Sequence, residues 1–175
     1  MQHVMLDLET MGNGPTAAII AIGAVEFDIT AGVIGDRFYT VVDLESSVAQ
    51  GGEITPSTVL WWMEQSQGAR DAFKAKGEHI AFALCQFSGW LENRAPQKER
   101  KIWGNGAAFD NVILASAYRR AGLPVPWEFW NDQCYRTAKA LLPYAPVVRV
   151  GTYHNAVDDA ATQAAHLLAM LKCSK

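Results

Sequence analysis

The chain has 175 residues, of which 15 are Lys or Arg and 18 are Asp or Glu, so its formal net charge is −3 with neutral histidines. Half of the residues are apolar, which is enough for a globular core and predicts a single domain over residues 1–175. The mild acidity argues against a protein that coats long nucleic acid, because such proteins are usually basic. It does not exclude an enzyme that holds one chain end through metal ions.

The cysteines and the apolar runs bear on location. Cys85, Cys134 and Cys173 are odd in number and widely spaced, which disfavours both a disulfide framework and a zinc knuckle. Free thiols favour a reducing cytoplasm. We see no signal peptide and no apolar run near the roughly 20 residues that a membrane span needs, so we expect a cytoplasmic protein with no membrane association.

The first part of the chain predicts three strands. Residues 3–10 read as a strand, followed by a loop over residues 11–15 that is rich in Gly and Pro. The apolar run over residues 18–28 predicts a buried second strand, and residues 37–42 predict a third after a turn over residues 30–36. Because the connections are short, we expect these strands to be antiparallel neighbours.

Helical patterns follow. Thr55 and Pro56 are suited to begin a helix that continues to Glu64, and residues 69–74 are expected to add another turn or two. Apolar residues recur every three or four positions between residues 78 and 93, which predicts an amphipathic helix.

The second half alternates between strand and helix. A short strand over residues 101–103 precedes a helix over residues 110–121, an irregular stretch over residues 125–131, and helices over residues 135–142 and 156–172. Three antiparallel strands followed by such units predict an α/β protein with a mixed sheet flanked by helices.

Asp7 and Glu9 end the first predicted strand. Side chains alternate across a strand, so residues two apart point to the same face. Two neighbouring carboxylates repel and raise each other's pKa, which a divalent cation can offset.

Three further residues are candidates for the same site. Asp110 opens a helix, where an acid is also common for structural reasons, since it caps the helix and complements the helix dipole. His154 and Asp159 cannot share one helix face, but they can converge if His154 lies in the preceding loop. Asn155 is a candidate N-cap, which places Asp158 at the position of a capping-box acid and leaves Asp159 for the metal. If the helix began one residue earlier or later, the two aspartates would exchange these roles.

These residue types suit phosphodiester hydrolysis. Two divalent ions about 4 Å apart can activate the nucleophile and neutralise both the phosphate and the leaving group. Carboxylate oxygens favour Mg²⁺ or Mn²⁺, and a neutral histidine can accept a proton from water at neutral pH.

Three motifs resemble those of the DEDDh family of 3′–5′ exonucleases: Asp7-Leu8-Glu9-Thr10, residues 105–110, and His154-x4-Asp159. The aromatic segments around Trp61 and Trp130 look more like the phage and mycobacterial exoribonuclease-like branch than like proofreading subunits. The resemblance implies a ribonuclease H-like fold with a mixed five-stranded sheet.

The resemblance also implies roles for the motif residues. The catalytic residues would be His154 as general base together with four metal-binding acids, which are Asp7, Glu9, Asp110 and Asp159. We expect two Mg²⁺ or Mn²⁺ ions, with Asp7 bridging them, Glu9 and Asp159 on the nucleophile side, and Asp110 on the leaving-group side.

Five residues are expected to bind the substrate. The resemblance implies that Thr10 and Met11 line the pocket for the terminal nucleotide and that Asn105 belongs to the middle motif. Trp61 and Trp62 are adjacent on a helix and cannot face the same way, so one is expected in the core, and Trp61 could stack on a base. Arg149 lies shortly before His154 and is a candidate phosphate contact, although an ordinary surface charge is the alternative.

The function expected from the sequence is metal-dependent 3′–5′ hydrolysis of single-stranded DNA or RNA, which releases nucleoside 5′-monophosphates. Two alternatives are a catalytically silent module that binds nucleic-acid ends and a phosphodiesterase that acts on small nucleotides. A homodimer is compatible with the exposed-looking tryptophans and the long last helix.

Overall fold

In the computed structural model, which describes residues 1–71 and 74–174, a five-stranded mixed sheet forms the centre of the fold. Its strands are β1 (His3–Thr10), β2 (Ile19–Asp28), β3 (Val33–Val41), β4 (Lys101–Gly104) and β5 (Asp132–Cys134). The order across the sheet is β3-β2-β1-β4-β5. The β1–β2 and β2–β3 pairs are antiparallel, whereas β4 is parallel to β1 and to β5. The predicted mixed sheet with three antiparallel strands is confirmed.

The helices cover both faces of the sheet. They are α1 (Leu44–Ala49), α2 (Pro56–Glu64), α3 (Gln67–Asp71), α4 (Ile80–Glu92), α5 (Asp110–Arg120), α6 (Tyr135–Leu141) and α7 (Ala156–Cys173). Short 3₁₀ turns lie at Gln97–Glu99 and Phe129–Asn131.

The alternation of side chains along β1 separates two cores. Val4, Leu6 and Leu8 pack against α4 and α5 in one cluster, whereas Met5 packs beneath α7 in another. Asp7 and Glu9 continue the Met5 side of the strand, so they point to the face that α7 covers.

Two glycines let helices approach the sheet next to these acids. Gly23 on β2 pairs directly with Asp7, and a Cβ atom there would lie 2.2 Å from backbone atoms of Ala156 and Val157 at the start of α7. Gly104 ends β4, and a Cβ atom there would lie 2.5 Å from Asn111 Oδ1. The backbone of α7 can therefore come close to β2 at Gly23, and the side chains at the start of α5 can come close to the end of β4 at Gly104.

Most predicted elements are present, with shifts at their ends. The third strand begins at Val33 rather than Arg37, because the hairpin turn closes early: Gly32 has a φ of 69° and the Asp28 carboxylate accepts hydrogen bonds from Thr30 and Ala31. Of the predicted extra turns over residues 69–74, residues 72 and 73 lie outside the described residues.

Two elements were not predicted from the residue pattern. Helix α1 begins where the Asp43 side chain accepts a hydrogen bond from Ser46 N. Strand β5 has only three residues and pairs with β4 from residue 132 onward, just after the stretch predicted to be irregular. Among the described residues, no helix combines the length and apolarity that crossing a membrane requires.

Candidate active site

Three carboxylates from two elements meet at the end of β1. Asp7, Glu9 and Asp159 each offer an oxygen atom, and these atoms all lie within 4.8 Å of one another. Glu9 is only 8% exposed, and its Oε1 has no hydrogen-bond partner among the described residues. The structure thus brings together residues from positions 7, 9 and 159, as the motifs predicted.

Asp110 lines the same cavity, although it lies outside this group of three. It is 3% exposed and sits at the first position of α5, where its Oδ1 accepts a hydrogen bond from Leu8 N at 3.2 Å. This bond ties the start of α5 to β1. Asp110 therefore has the structural environment of a helix-terminal acid and also borders the cavity of about 300 Å³ that contains the three carboxylates.

The acids share a buried and electronegative environment. Burial raises the pKa of Asp7 well above its ordinary value, and the charges of Asp110, Glu9 and Asp159 raise it further. Burial is also the main cause that raises the pKa of Glu9 to about 8 and that of Asp110 to about 7. Positive charge placed among these groups would favour their ionised forms.

His154 and Asp159 converge as predicted, from a loop and from a helix. Asn155 is the N-cap of α7, and its side chain accepts a hydrogen bond from Asp158 N. His154 precedes this cap with a φ of 59°, and its backbone N–H donates to Asp159 Oδ2 at 3.0 Å. Asp159 faces the cavity, whereas the Asp158 carboxylate accepts a hydrogen bond from Thr152 N outside it.

Arg149 lies beside a carboxylate of the site. Its guanidinium group contacts Asp159 Oδ1 and the carbonyl oxygen of Thr152, and it stacks on Tyr153 at 4.4 Å from the ring centroid. The sequence makes Arg149 a candidate phosphate contact, with an ordinary surface charge as the alternative. In the structure the guanidinium group is directed at Asp159, and both oxygens of Asp159 accept hydrogen bonds from the loop before α7.

A second cavity of about 230 Å³ adjoins the first, since Leu8, Glu9 and Phe109 line both. Thr10 and Trp61, for which substrate binding is predicted, line this cavity. The two tryptophans divide as predicted: Trp62 is buried and donates to Thr10 O, whereas Trp61 is 41% exposed and its ring centroid lies 5.0 Å from that of His154.

The other predicted substrate residues have different positions. Asn105 lines the carboxylate cavity, and its carbonyl oxygen accepts a hydrogen bond from Arg136. Met11 is instead buried in a core cluster with Ile20 and Trp62, and it is not among the residues that line the second cavity. Its neighbours Thr10 and Gly12 line the second cavity, whereas Met11 itself packs in the core.

Sequence reasoning missed several residues that line these cavities, notably Gln163, Phe109, Asn13 and Thr58. Gln163 carried a usable signal, because it lies four residues after Asp159 and so shares a helix face with it. Arg136 also lines the carboxylate cavity and is exposed.

Known proteins share this architecture. The zinc-bound form of E. coli ExoI in complex with single-stranded DNA matches with a TM-score of 0.69 and 17% sequence identity, covering 99% of this chain and 40% of the ExoI chain. The cell-death related nuclease CRN-4 matches with a TM-score of 0.64 and 14% identity, covering 98% of this chain and 64% of that one. These likenesses confirm the ribonuclease H-like exonuclease fold.

Sequence comparison identifies the family. The model of the 3′-5′ exoribonuclease Rv2179c-like domain matches residues 2–171, so the chain belongs to this family of 3′–5′ exonuclease domains. An exodeoxyribonuclease of Enterobacteria phage T4 is 29% identical, over 78% of this chain and 70% of the phage protein. The predicted resemblance to DEDDh-type exonucleases is confirmed.

Proposed function

We propose that the chain hydrolyses the 3′-terminal phosphodiester of single-stranded DNA or RNA and releases nucleoside 5′-monophosphates, with two Mg²⁺ or Mn²⁺ ions as cofactors. The observation that carries this proposal is the group of Asp7, Glu9 and Asp159 oxygens within 4.8 Å of one another, in a cavity that His154 also lines.

The donor set suits hard divalent cations. It consists of carboxylate oxygens, and the buried Glu9 Oε1 is without a protein partner among the described residues. Asp7, Glu9 and Asp159 would hold the ion on the nucleophile side, and Asp7 and Asp110 the ion on the leaving-group side. When bound, the ions would lower the pKa of the attacking water and offset the negative charge of the phosphate.

The residues of the chain would then act on substrate and water. His154 would accept one proton as the water oxygen attacks the terminal phosphorus, and the bond from phosphorus to the 3′-oxygen of the preceding nucleotide would break. That oxygen would take a proton from solvent, and the terminal nucleotide would leave with its 5′-phosphate.

The second cavity is suited to the terminal nucleotide. It shares Glu9 with the carboxylate cavity and is bounded by Trp61, Phe109 and Thr10. Aromatic faces stack on any base, which suits an enzyme that acts without strict sequence preference. Arg136, Asn105 and, once displaced from Asp159, Arg149 would contact the phosphates.

Relatives suggest both kinds of polymer. The family is named after an exoribonuclease, whereas the phage T4 relative is an exodeoxyribonuclease and the ExoI structure contains single-stranded DNA. The free thiols of the described residues support a reducing, cytoplasmic environment for this activity. We also propose that the chain forms a homodimer, for which sedimentation should give twice the mass of the 19.2 kDa chain.

The test compares matched single-stranded DNA and RNA oligonucleotides labelled at the 5′ end, with Mn²⁺ or with EDTA. We expect a ladder that shortens from the 3′ end only with Mn²⁺, nucleoside 5′-monophosphates as products, and no hydrolysis by Asp7→Asn. Binding without shortening would indicate an end-binding module, and hydrolysis confined to dinucleotides would indicate a small-nucleotide phosphodiesterase. Near-wild-type turnover by Asp7→Asn would contradict the proposal.

A further inference from the structure

Gln163 is a buried polar residue at the site to which the sequence motifs give no role. It lies on α7 four residues after Asp159, which places both side chains on the same helix face. It lines the carboxylate cavity and is only 8% exposed.

The two ends of the Gln163 amide have different environments. Nε2 donates a hydrogen bond to Asp7 Oδ1 at 2.7 Å, across 156 positions of sequence. Oε1 is buried without a hydrogen-bond partner among residues 1–71 and 74–174. A buried acceptor without a partner is unfavourable, because it loses the hydrogen bonds that water would make, so packing alone does not account for a glutamine here.

His166, on the same helix, shows what a structural polar residue looks like here. Its two ring nitrogens are both bonded within the fold, to Tyr135 Oη at 2.6 Å and to Ala145 O at 2.8 Å. Gln163 differs because one end of its amide contacts a carboxylate of the site, whereas the other end is buried without a hydrogen-bond partner among the described residues.

The packing of α7 explains why a glutamine reaches Asp7. Gly23 is the cross-strand neighbour of Asp7, and its missing side chain lets the first turn of α7 lie against β2. Asp159 then projects from that turn and Gln163 from the next, so the helix contributes one carboxylate and one amide to the surroundings of Asp7.

We propose that Gln163 is a positioning residue for divalent cation binding, an inference that rests on the proposed function. Its Nε2 fixes one oxygen of Asp7 and leaves the other free for a cation. Its Oε1 accepts a hydrogen bond from a water molecule that enters with the cation. Such outer partners orient the ligands of a metal and typically contribute about 10–100-fold to affinity or activity.

The test uses Gln163→Met, which keeps the length of the side chain without its amide, and Gln163→Leu as a second apolar replacement. Gln86→Met is the matched control, because Gln86 is an exposed glutamine on α4 whose Oε1 lies 3.4 Å from Thr40 Oγ1. The first readout is calorimetric titration with Mn²⁺ alone. The second is steady-state hydrolysis of a labelled oligonucleotide, and circular dichroism checks folding.

We expect Mn²⁺ affinity and kcat each to fall by about 10-fold or more in both Gln163 variants, with KM for the oligonucleotide changed much less, and Gln86→Met to match wild type. If a folded Gln163 variant has the Mn²⁺ affinity and kcat of the wild type, the role of Gln163 is overturned and the proposed function is not affected. Absence of Mn²⁺ binding by the wild-type protein would overturn the proposed function and this inference with it.

Discussion

The sheet end and the loop before α7 contribute different kinds of groups to one cavity. Glu9 and Asp110 are 8% and 3% exposed, and each belongs to a regular element. The segment from residue 142 to 155 has no regular structure, and its Tyr144 and Tyr153 are 88% and 67% exposed. The acids thus lie on strands and helices, whereas His154 and Arg149 lie on a segment without regular secondary structure.

This difference matches two functions of the site, which are cation binding and the handling of proton and substrate. Holding cations requires oxygens at fixed distances, which strands and helices provide. Taking a proton and admitting a polymer end require groups that can adjust as substrate enters. We therefore expect substitutions of the acids to weaken cation binding, and substitution of His154 to lower turnover without changing cation binding. Arg149 is the exception in the loop, because its guanidinium group contacts Asp159.

The largest expected effect is the difference in hydrolysis rate between the Asp159→Asn and Asp158→Asn variants. Asp159→Asn removes a carboxylate from the cavity, so hydrolysis should fall by more than the roughly 100-fold that loss of an outer partner can cost. Asp158→Asn keeps an oxygen that can accept from Thr152 N, and activity should stay within about threefold of wild type. Steady-state assays in Mn²⁺ check both, and a reversed ranking would assign the ligand role to Asp158.

His154→Ala tests whether the loop residue His154 affects turnover but not cation binding. Loss of a general base should lower kcat by about 10²–10⁴-fold. The residues whose ligand atoms lie close together are Asp7, Glu9 and Asp159, and His154 is not one of them. The Mn²⁺ affinity measured by calorimetry should therefore not change. Loss of Mn²⁺ binding in a folded His154→Ala protein would show that the ring holds the cation rather than the proton.

Gly23→Ala tests how the fold sets the site. A methyl group would lie 2.2 Å from backbone atoms of α7, so the helix must shift, at a cost of about 1–3 kcal/mol of stability. A shift near 1 Å can lower turnover by about 100-fold, because Asp159 moves relative to Asp7. Gly89→Ala on α4 meets nothing within 4 Å and should retain full activity. Equal activity of the two variants would contradict this dependence.

Arg149→Ala should produce opposite changes in two constants. The guanidinium group contacts Asp159 in this structure and so competes with a cation. Its removal should tighten Mn²⁺ binding by up to about fivefold, the range of an ion pair that is partly exposed. If Arg149 also contacts phosphate, KM for the oligonucleotide should rise. No change in either constant would leave Arg149 without a role at the site.

The smallest expected effect is on stability without metal. Glu9 has a pKa of about 8 and Asp110 of about 7, both above their ordinary values, so the folded protein binds more protons than the unfolded chain. The stabilisation is fully present below the unfolded pKa values and is lost as pH rises through the folded ones. Between pH 5 and pH 8, Tm in EDTA should fall by at least about 2 °C more than in Glu9→Gln. Mg²⁺ at pH 8 should restore it, and a Tm that rises with pH would contradict this sign.

Much of the fold was predictable because the elements that matter have strong local signals. The apolar runs of β1 and β2, the Pro56 start of α2 and the amphipathic pattern of α4 all correspond to observed elements. Strand β5 gave no such signal, since Asp-Gln-Cys has no apolar alternation and is a strand only because β4 offers a partner. The start of β3 depended on the Asp28 turn, which shortened the predicted loop.

The site was predictable where chemistry restricts the residue type and unpredictable where packing decides. The convergence of Asp7, Glu9 and Asp159 followed from motif order and strand alternation. The inward direction of Met11 and the contact between Arg149 and Asp159 depend on backbone paths in loops, which residue patterns do not specify.

The most direct test of the central claim is anomalous diffraction from crystals soaked in Mn²⁺. We expect two anomalous peaks about 4 Å apart, one among Asp7, Glu9 and Asp159 and one between Asp7 and Asp110. Absence of any peak at saturating Mn²⁺, in crystals where these carboxylates remain as close as they are here, would contradict a metal-dependent nuclease site.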